Sequence, residues 1–447
     1  MVSVLVILEW HPQWPEDLHR QLWQRLRDLH QWILRYPSLH SSGNNHRVAE
    51  VTACFIIECL VPQWRPITLA ARSAQLIRRL EQQFHSDGVG TEQAPYYQAL
   101  VTEWMVLADC VAQKHTAPLP IGALLERSLS FLSELLDSHG NWPNIGDADD
   151  SVVIRTQLTP EPYVASIVSL AAAHLGQPAP WVQRNLRHSI LGLDEAQLCK
   201  ISTSRCFNDG GFSVLRSGPV QLFFDHGPLG FGTLPGHGHA DALSVWMQVN
   251  GRPIWIDTGT GFYNRDPQWR SWIRSTAAHN TVTIDGDDQS TQTGPFNWAN
   301  HAKTQLLSFS GHQGTVSAEH DGYGRIGVIH RREIELSSET VRICDQLTGS
   351  GSHSIVSRIS LEASLSVEPI ECGWKVLDGA RVVATVTVNT DSLRPVCARQ
   401  SGEAGPGCYS LNYNHLEPTT TLQWEGCLQL PARWQLEWRW TIPTEEL

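Results

Sequence analysis

The residues best equipped for chemistry crowd into positions 234–290, LPGHGHADALSVWMQVNGRPIWIDTGTGFYNRDPQWRSWIRSTAAHNTVTIDGDDQS. Read as an extended strand, the start of this segment sends side chains two apart to one face. His237, His239 and Asp241 then project together, with Leu243 and Val245 behind them. Two imidazoles and a carboxylate on one face either gather ligands for a metal or prepare proton transfer. Asp257 and His279, expected on the strands that follow, extend the set. A solvated polar edge rich in histidine is the plainer alternative.

Three further clusters lie nearer the N-terminus. In GNNHRVAE, Asn44, Asn45 and His46 stand just before an apolar-periodic stretch, where asparagine is a good helix N-cap. In DGVGTEQAPYYQAL, Glu92, Gln93, Tyr96 and Tyr97 stand where another helix begins, with Pro95 suited to its first turn. Paired tyrosines there are ordinarily packing residues. NWPNIGDADDS supplies Asn144, Asp147, Asp149 and Asp150. Its spacing is not that of an EF-hand loop, so helix capping or salt bridging is the expected role.

Two kinds of element must position these groups. From Pro15 to Tyr36, Leu18, Leu22, Leu26, Leu29 and Ile33 recur at three and four, one face of an amphipathic helix. Helical patterns continue at about 47–62, 66–84, 95–113, 121–137, 161–175 and 181–192, joined by short polar links, which predicts antiparallel pairs in a bundle or toroid. Near Arg205 the period changes to two. Segments such as FSVLRS, VQLFFDHG, RPIWIDTG and IGVIHRREIEL are short, β-branched or alternating, and the pattern runs on to the Trp-rich WQLEWRWTI. Helices up to about residue 200 followed by strands from about 205 predict a helical domain, 1–200, joined to an antiparallel β-sandwich, 201–447.

The 447 residues carry a formal net charge of -12, which argues against a nucleic-acid binder but leaves room for a locally basic cleft. Ten cysteines are scattered without a CxxC pair and read as buried thiols. The apolar start, MVSVLVILEW, has no basic region and no small-residue cleavage site, so it does not read as a signal peptide. No run approaches membrane-spanning length, and the chain as written reads as cytoplasmic. Eighteen tryptophans include some for the core, yet indole faces also stack on sugar rings, which adds weight to a carbohydrate ligand.

Taken together, NNH before a helix, DG…EQxPxY, the GDxDD loop and GHGHADALS…IDTGT…FYN…WRxWxRSTxAHNTVTIDG resemble the heparinase II/III-like and alginate-lyase-like polysaccharide lyases, from about residue 40 to about 300. The resemblance implies an (α/α) toroid followed by an antiparallel β-sandwich, and cleavage of a uronate-containing polysaccharide by β-elimination. Relatives carry more helical chain before NNH, so this toroid is expected to be incomplete, and a homo-oligomer is one way to complete it. Relatives also meet polymers outside the cytoplasm, which sets a periplasmic or secreted location against the cytoplasmic reading.

By the same resemblance, Asn45 and His46 bind and neutralise the uronate carboxylate, Tyr97 is the general acid, and His237 is the catalytic histidine. Tyr263 stands where some exolytic members carry a second catalytic tyrosine. His239, Asp257 and His279 match the ligands of a zinc ion, and Arg270 and Arg274 look like substrate-binding or structural arginines. Gln98 follows Tyr97 where many relatives have histidine.

β-Elimination removes the weakly acidic proton α to a carboxylate and expels the 4-O-linked sugar. An amide and an imidazole aimed at that carboxylate stabilise the developing enolate-like charge. A tyrosine or histidine takes the proton and returns one to the leaving oxygen, each such group contributing about 10²–10⁴-fold. His237 and Tyr263 both remain candidates for the base. Asn45, His46, Tyr97 and His237 are expected to line one cleft. Two other readings stand beside this one. A glycoside hydrolase would use carboxylates such as Asp147, Asp149 and Asp150, and an inactive glycan-binding protein would keep the fold alone.

Overall fold

The computed structural model describes residues 15–155, 162–232, 234–399 and 403–441. The apolar start MVSVLVILEW and the outset of the helix expected from about 161 lie outside them. The chain divides into two compact units: one up to Thr91 with Tyr96–Ser133 and Ser151–Lys200, the other Glu92–Pro95, Glu134–Asp150 and everything from Ile201. Two short segments of the helical half therefore belong with the strands.

The first unit is built of helices α1 (Glu16–Arg35), α2 (Asn45–Leu60), α3 (Leu69–Glu81), α4 (Pro95–His115), α5 (Gly122–Leu135), α6 (Tyr163–Leu175) and α7 (Leu186–Leu191), with only the ends of α4 and α5 assigned to the other unit. α1 has the amphipathic pattern expected, with Leu26 and His30 buried and acids in its first turn opposite Arg35 in its last. α2 starts where the Asn44 side chain accepts from His46 N at 3.4 Å, and it is buried nearly all round, as an interior helix is. Charges inside this unit are paired. Glu58 takes both Arg72 Nε and Nη2, at 3.0 and 2.8 Å, while Glu103 takes Arg187 Nε at 2.7 Å and the Tyr163 hydroxyl at 2.6 Å.

The second unit centres on one fifteen-stranded sheet, and every pairing of its strands is antiparallel. Strands β1 (Arg205–Phe207), β2 (Phe212–Ser217), β3 (Val220–Asp225), β4 (Val245–Val249) and β5 (Arg252–Trp255) form a meander. It continues through the long strand Thr340–Leu361, which also receives β6 (Val282–Ile284), to its partner Thr420–Trp440. The register of the two long strands shifts between Leu347 and Gly351, so one strand serves two stretches of sheet. Period-two patterning does what the sequence implies. In Ile329–Leu336, His330, Arg332, Ile334 and Leu336 are the buried positions. Trp424, Trp434, Trp438 and Trp440 are buried core residues, which removes the C-terminal indoles as sugar platforms.

Four sequence expectations differ from the structure. The GHGHAD segment is not a strand: it is irregular, and β4 begins only at Val245. Gly238 accounts for part of this, because a Cβ there would overlap the Leu229 carbonyl oxygen, a backbone approach that a paired strand with side chains does not permit. Asp257 and His279 likewise follow β5 and a short 3₁₀ turn and do not sit within strands. The strand-rich half contains a helix, α8 (Pro267–Ile273), whose start is fixed by the Asp266 side chain accepting from Gln268 N and Trp269 N, with proline at the first position. No cysteine is in a disulfide, but only Cys54, Cys59, Cys110 and Cys408 are buried and Cys397 and Cys427 are exposed, against the expectation of buried thiols.

Candidate active site and metal cluster

The loop around Gly146 brings the first functional group into the second unit. Gly146 has φ +65, and a Cβ there would crowd the carbonyl oxygens of Gln93 and His237 at 2.8 and 3.0 Å. Asp147 N donates to His237 O at 2.9 Å and Ala148 N to Thr260 Oγ1 at 2.5 Å. The Asp147 carboxylate, fully buried, then meets Arg270 Nη1 and Nη2 at 2.5 and 2.7 Å, His237 Nδ1 at 3.1 Å and His239 Nε2 at 3.0 Å. Burial pushes this carboxyl up, but Arg270 and the two imidazoles outweigh it and hold it well below the usual range.

An ionised carboxylate only accepts, so both histidines must present N–H to Asp147. His237 is therefore protonated at Nδ1, with Nε2 facing Glu92 Oε2 at 3.6 Å. His239 is protonated at Nε2. Its Nδ1 has no hydrogen-bond partner although it is buried. Burial, against the pull of Asp147, lowers this imidazole to about 4, so it is neutral at pH 7.

Beside His237 stands Tyr263, ring centroids 6.4 Å apart, with Phe296 at 6.3 Å. The Arg270 guanidinium lies 4.9 Å from the centroids of both the Tyr263 and Phe296 rings. Tyr263 and Arg270 line a cavity of about 390 Å³ together with Asn264, Ser271, Gln292 and Pro295. Arg270, with Nε donating to Pro295 O at 3.0 Å, thus has a structural occupation. Arg274 is fully buried over the Trp298 ring at 4.4 Å and donates Nη1 to Gly294 O. Burial and the neighbouring Arg270 lower it to about 9.

His239, Asp257 and His279 come together, each offering a ligand atom within 4.8 Å of the others, and all three are buried. Asp257 Oδ2 accepts from His279 Nδ1 at 2.8 Å and from Trp246 Nε1 at 3.0 Å, and Oδ1 accepts from Gly259 N. His279 Nε2, like His239 Nδ1, is buried without a partner. Two unpartnered imidazole nitrogens beside a carboxylate are a donor set that suits a zinc-like cation. Two more buried acids adjoin it. Burial and the like charge of Asp241 raise Asp225, while burial raises Asp241 to about 7. A dication there would offset concentrated negative charge.

Asn280, adjacent to His279, holds these loops in register. Its amide donates to Val245 O at 2.8 Å and Ile256 O at 2.9 Å, and its side-chain oxygen accepts from Ser360 N at 2.7 Å. Asp147 has the salt-bridging role expected of its loop, but its particular partners, and the parts of Asn280, Glu92 and Phe296, were not assigned from sequence. The only signal was the neighbourhood of Asp147 to a glycine and of Asn280 to His279, and neither states a partner 24 to 123 positions away.

The other expected site residues lie in the first unit. Asn45 opens α2 and is buried, and His46 beside it is exposed. Tyr97 is buried in the first turn of α4, edge-on to Tyr96, whose hydroxyl donates to Ser151 O at 3.0 Å. For hydrolysis by paired carboxylates the geometry is unfavourable, since Asp147 is sealed by four donors and not open to a glycosidic oxygen.

Residues 202–441 match the family model described as Heparinase II/III-like, C-terminal. An alginate lyase of Stenotrophomonas maltophilia (strain K279a) is 23% identical over 294 residues, 58% of this chain and 39% of that protein. Among solved structures, a heparinase III superposes with TM-score 0.72 at 15% identity, covering 98% of this chain and 67% of that one. The heparan sulfate lyase HepC from Pedobacter heparinus gives 0.66 at 15% identity, covering 95% and 62%. The structural likenesses establish the fold, and the chain spans well under half the length of the alginate lyase it matches.

Proposed function

Because this chain belongs to the heparinase II/III-like family, we propose that it is a polysaccharide lyase cutting a uronate-containing polysaccharide by β-elimination. The observation that carries this reading is His237. Its Nδ1 proton is held by buried Asp147, its Nε2 lies 3.6 Å from the Glu92 carboxylate, and Tyr263 stands beside it on a 390 Å³ cavity. An imidazole oriented by a carboxylate and paired with a phenol is the equipment for removing an α-proton and returning one to a leaving oxygen.

Asn45 and His46 neutralise the uronate carboxylate in this scheme, Tyr97 acts as acid, and His237 or Tyr263 acts as base. The helices are read as an (α/α) toroid-like domain and the sheet as a β-sandwich, with an acidic polysaccharide or oligosaccharide as partner. Among the described residues no helix is long and apolar enough to cross a membrane.

His239, Asp257 and His279 are assigned to zinc, which when bound would tie three loops together at the floor of the site. The reaction itself calls for no water nucleophile, so the protein's own groups carry the proton transfers. Protein purified without chelator is expected to contain near-stoichiometric zinc, and His279→Ala to lose it together with thermal stability.

The test of function is a panel of uronate polymers (heparan sulfate, alginate, hyaluronan and a bacterial capsule) followed by ultraviolet absorbance of the unsaturated product. Hydrolysis yields no such chromophore. Chain shortening without absorbance would sink the lyase reading.

A further inference from the structure

We propose that Asp147 is a positioning residue that couples the metal cluster to the proton-transferring histidine, an inference that rests on the lyase and zinc assignments above. One carboxylate is shared between His237, whose ring stands beside the cavity-lining Tyr263, and His239, whose other nitrogen is unpartnered toward Asp257 and His279. It is supplied from 90 and 92 residues away in the chain, so neither histidine's local sequence provides it.

Its position is set by backbone. Asp147 N is bound to His237 O and Ala148 N to Thr260 Oγ1, while Asn144 Nδ2 donates to Ser410 O at 3.1 Å. With the loop fixed, the two oxygens select one tautomer at each ring. His239 keeps its proton on Nε2 and offers Nδ1 to the metal, and His237 keeps its proton on Nδ1 with Nε2 turned toward Glu92. The same carboxylate immobilises Arg270 against the Tyr263 ring. Metal ligand, base and cavity wall thus share one anchor, and disturbing the anchor disturbs all three.

The experiment compares full-length parent, Asp147→Asn, and Asp147→Asn combined with Arg270→Gln. The double variant removes the stranded arginine charge, so that a folded protein is obtained even if the single variant unfolds. Zinc affinity is measured by chelator competition, apo-protein melting by calorimetry, and kcat and KM separately on a polymer the parent cleaves. An amide in place of the carboxylate presents an N–H to one imidazole and no longer selects both tautomers. Zinc affinity is expected to fall by about 10–100-fold. The kcat is expected to fall by at least about 100-fold with KM changed far less. Asn144→Ala, which loosens the same loop without touching either histidine, is the structural control and is expected to lower melting while leaving zinc affinity near parental.

Parental zinc affinity in the folded double variant overturns the proposal. So does a loss in Asn144→Ala as large as in Asp147→Asn. A parent that takes up zinc but cleaves no uronate polymer overturns the lyase reading and leaves the metal coupling standing, whereas a parent that binds no zinc overturns the coupling.

Discussion

Arg332 donates Nη1 to the backbone carbonyl of Asn280 at 2.7 Å, directly behind the loop that carries His279. The same nitrogen reaches Leu243 O at 2.8 Å, and Nε and Nη2 pair with Asp345 at 2.7 and 3.0 Å. A charged residue at an inward position of an alternating strand is thereby satisfied on every side and ties two site loops to the sheet. Arg332→Met is expected to cost about 3–5 kcal/mol, because it strands Asp345 in the core. Adding Asp345→Leu should recover much of that in denaturant titration. Full loss retained in the double variant would show that the loop contacts, not the ion pair, dominate.

Acid should destabilise the strand-rich unit in two steps. His226 is buried with Nε2 against Ser213 Oγ at 2.9 Å, and burial lowers it from 6.5 to about 4. The unfolded chain binds a proton there that the folded chain refuses. Stability is therefore full above about 6.5 and declines until about 4, by roughly 3 kcal/mol at most. For Asp345, burial raises the carboxyl, but Arg332 and His330 outweigh it and bring it to about 2, so its contribution is present above about 4 and is lost as pH falls toward 2. His226→Gln should make the stability slope between pH 4 and 6.5 shallower, leaving the share of His239, which burial also lowers to about 4, and the loss below 4 intact. An unchanged slope in that variant would remove His226 as its source.

In the helical unit, Glu103 collects Val153 N and Ile154 N at 3.1 Å each besides Tyr163 and Arg187. Glu103→Gln is expected to cost about 3–5 kcal/mol, since it removes the carboxylate paired with buried Arg187. Tyr163→Phe, which removes one donor only, should cost about 1–3 kcal/mol. Calorimetry that ranks the two in the reverse order would contradict this.

Tyr97→Phe keeps the packing against Tyr96 and removes only a hydroxyl. If Tyr97 is the acid, turnover falls by at least about two orders of magnitude with folding and KM nearly unchanged. Parent-like turnover on a polymer the parent cleaves would shift the assignment to Tyr263 and His237.

Gly238→Ala should be as damaging as loss of a site histidine, although no side chain is removed. The added methyl would overlap the Leu229 carbonyl oxygen and displace the residues on either side, His237 and His239. Zinc uptake and melting temperature are both expected to drop. A variant that keeps zinc and parental stability would mean that the loop has slack which the geometry does not suggest.

The helical periodicity and the change of period near Arg205 were legible because apolar spacing is a local property. Leu26 is buried in α1 as its three-and-four spacing predicts, and His330, Arg332, Ile334 and Leu336 share one face as a period of two requires. The cluster of His239, Asp257 and His279 was also nameable, but only through a long motif, and the strand geometry inferred for GHGHAD was wrong in kind. Alternation cannot register that Gly238 lies against another backbone segment, or that a loop and not a strand turns His237 and His239 toward one acid.

By itself, then, the sequence determined the two classes of element, where they exchange, and which residue types were available for proton transfer and metal binding. Those follow from interactions among residues a few positions apart. Only the tertiary structure decided that Asp147 rather than Asp149 or Asp150 is the buried acid, that Arg270 is committed to it, and that Asn280 stitches the loops together. A carboxylate's role is set by which donors surround it and how far it is from water, and here the Asp147 donors come from residues 90 to 123 positions away. Spacing along a chain carries no record of such closures, because backbone hydrogen bonds and packing elsewhere in the fold bring those segments together.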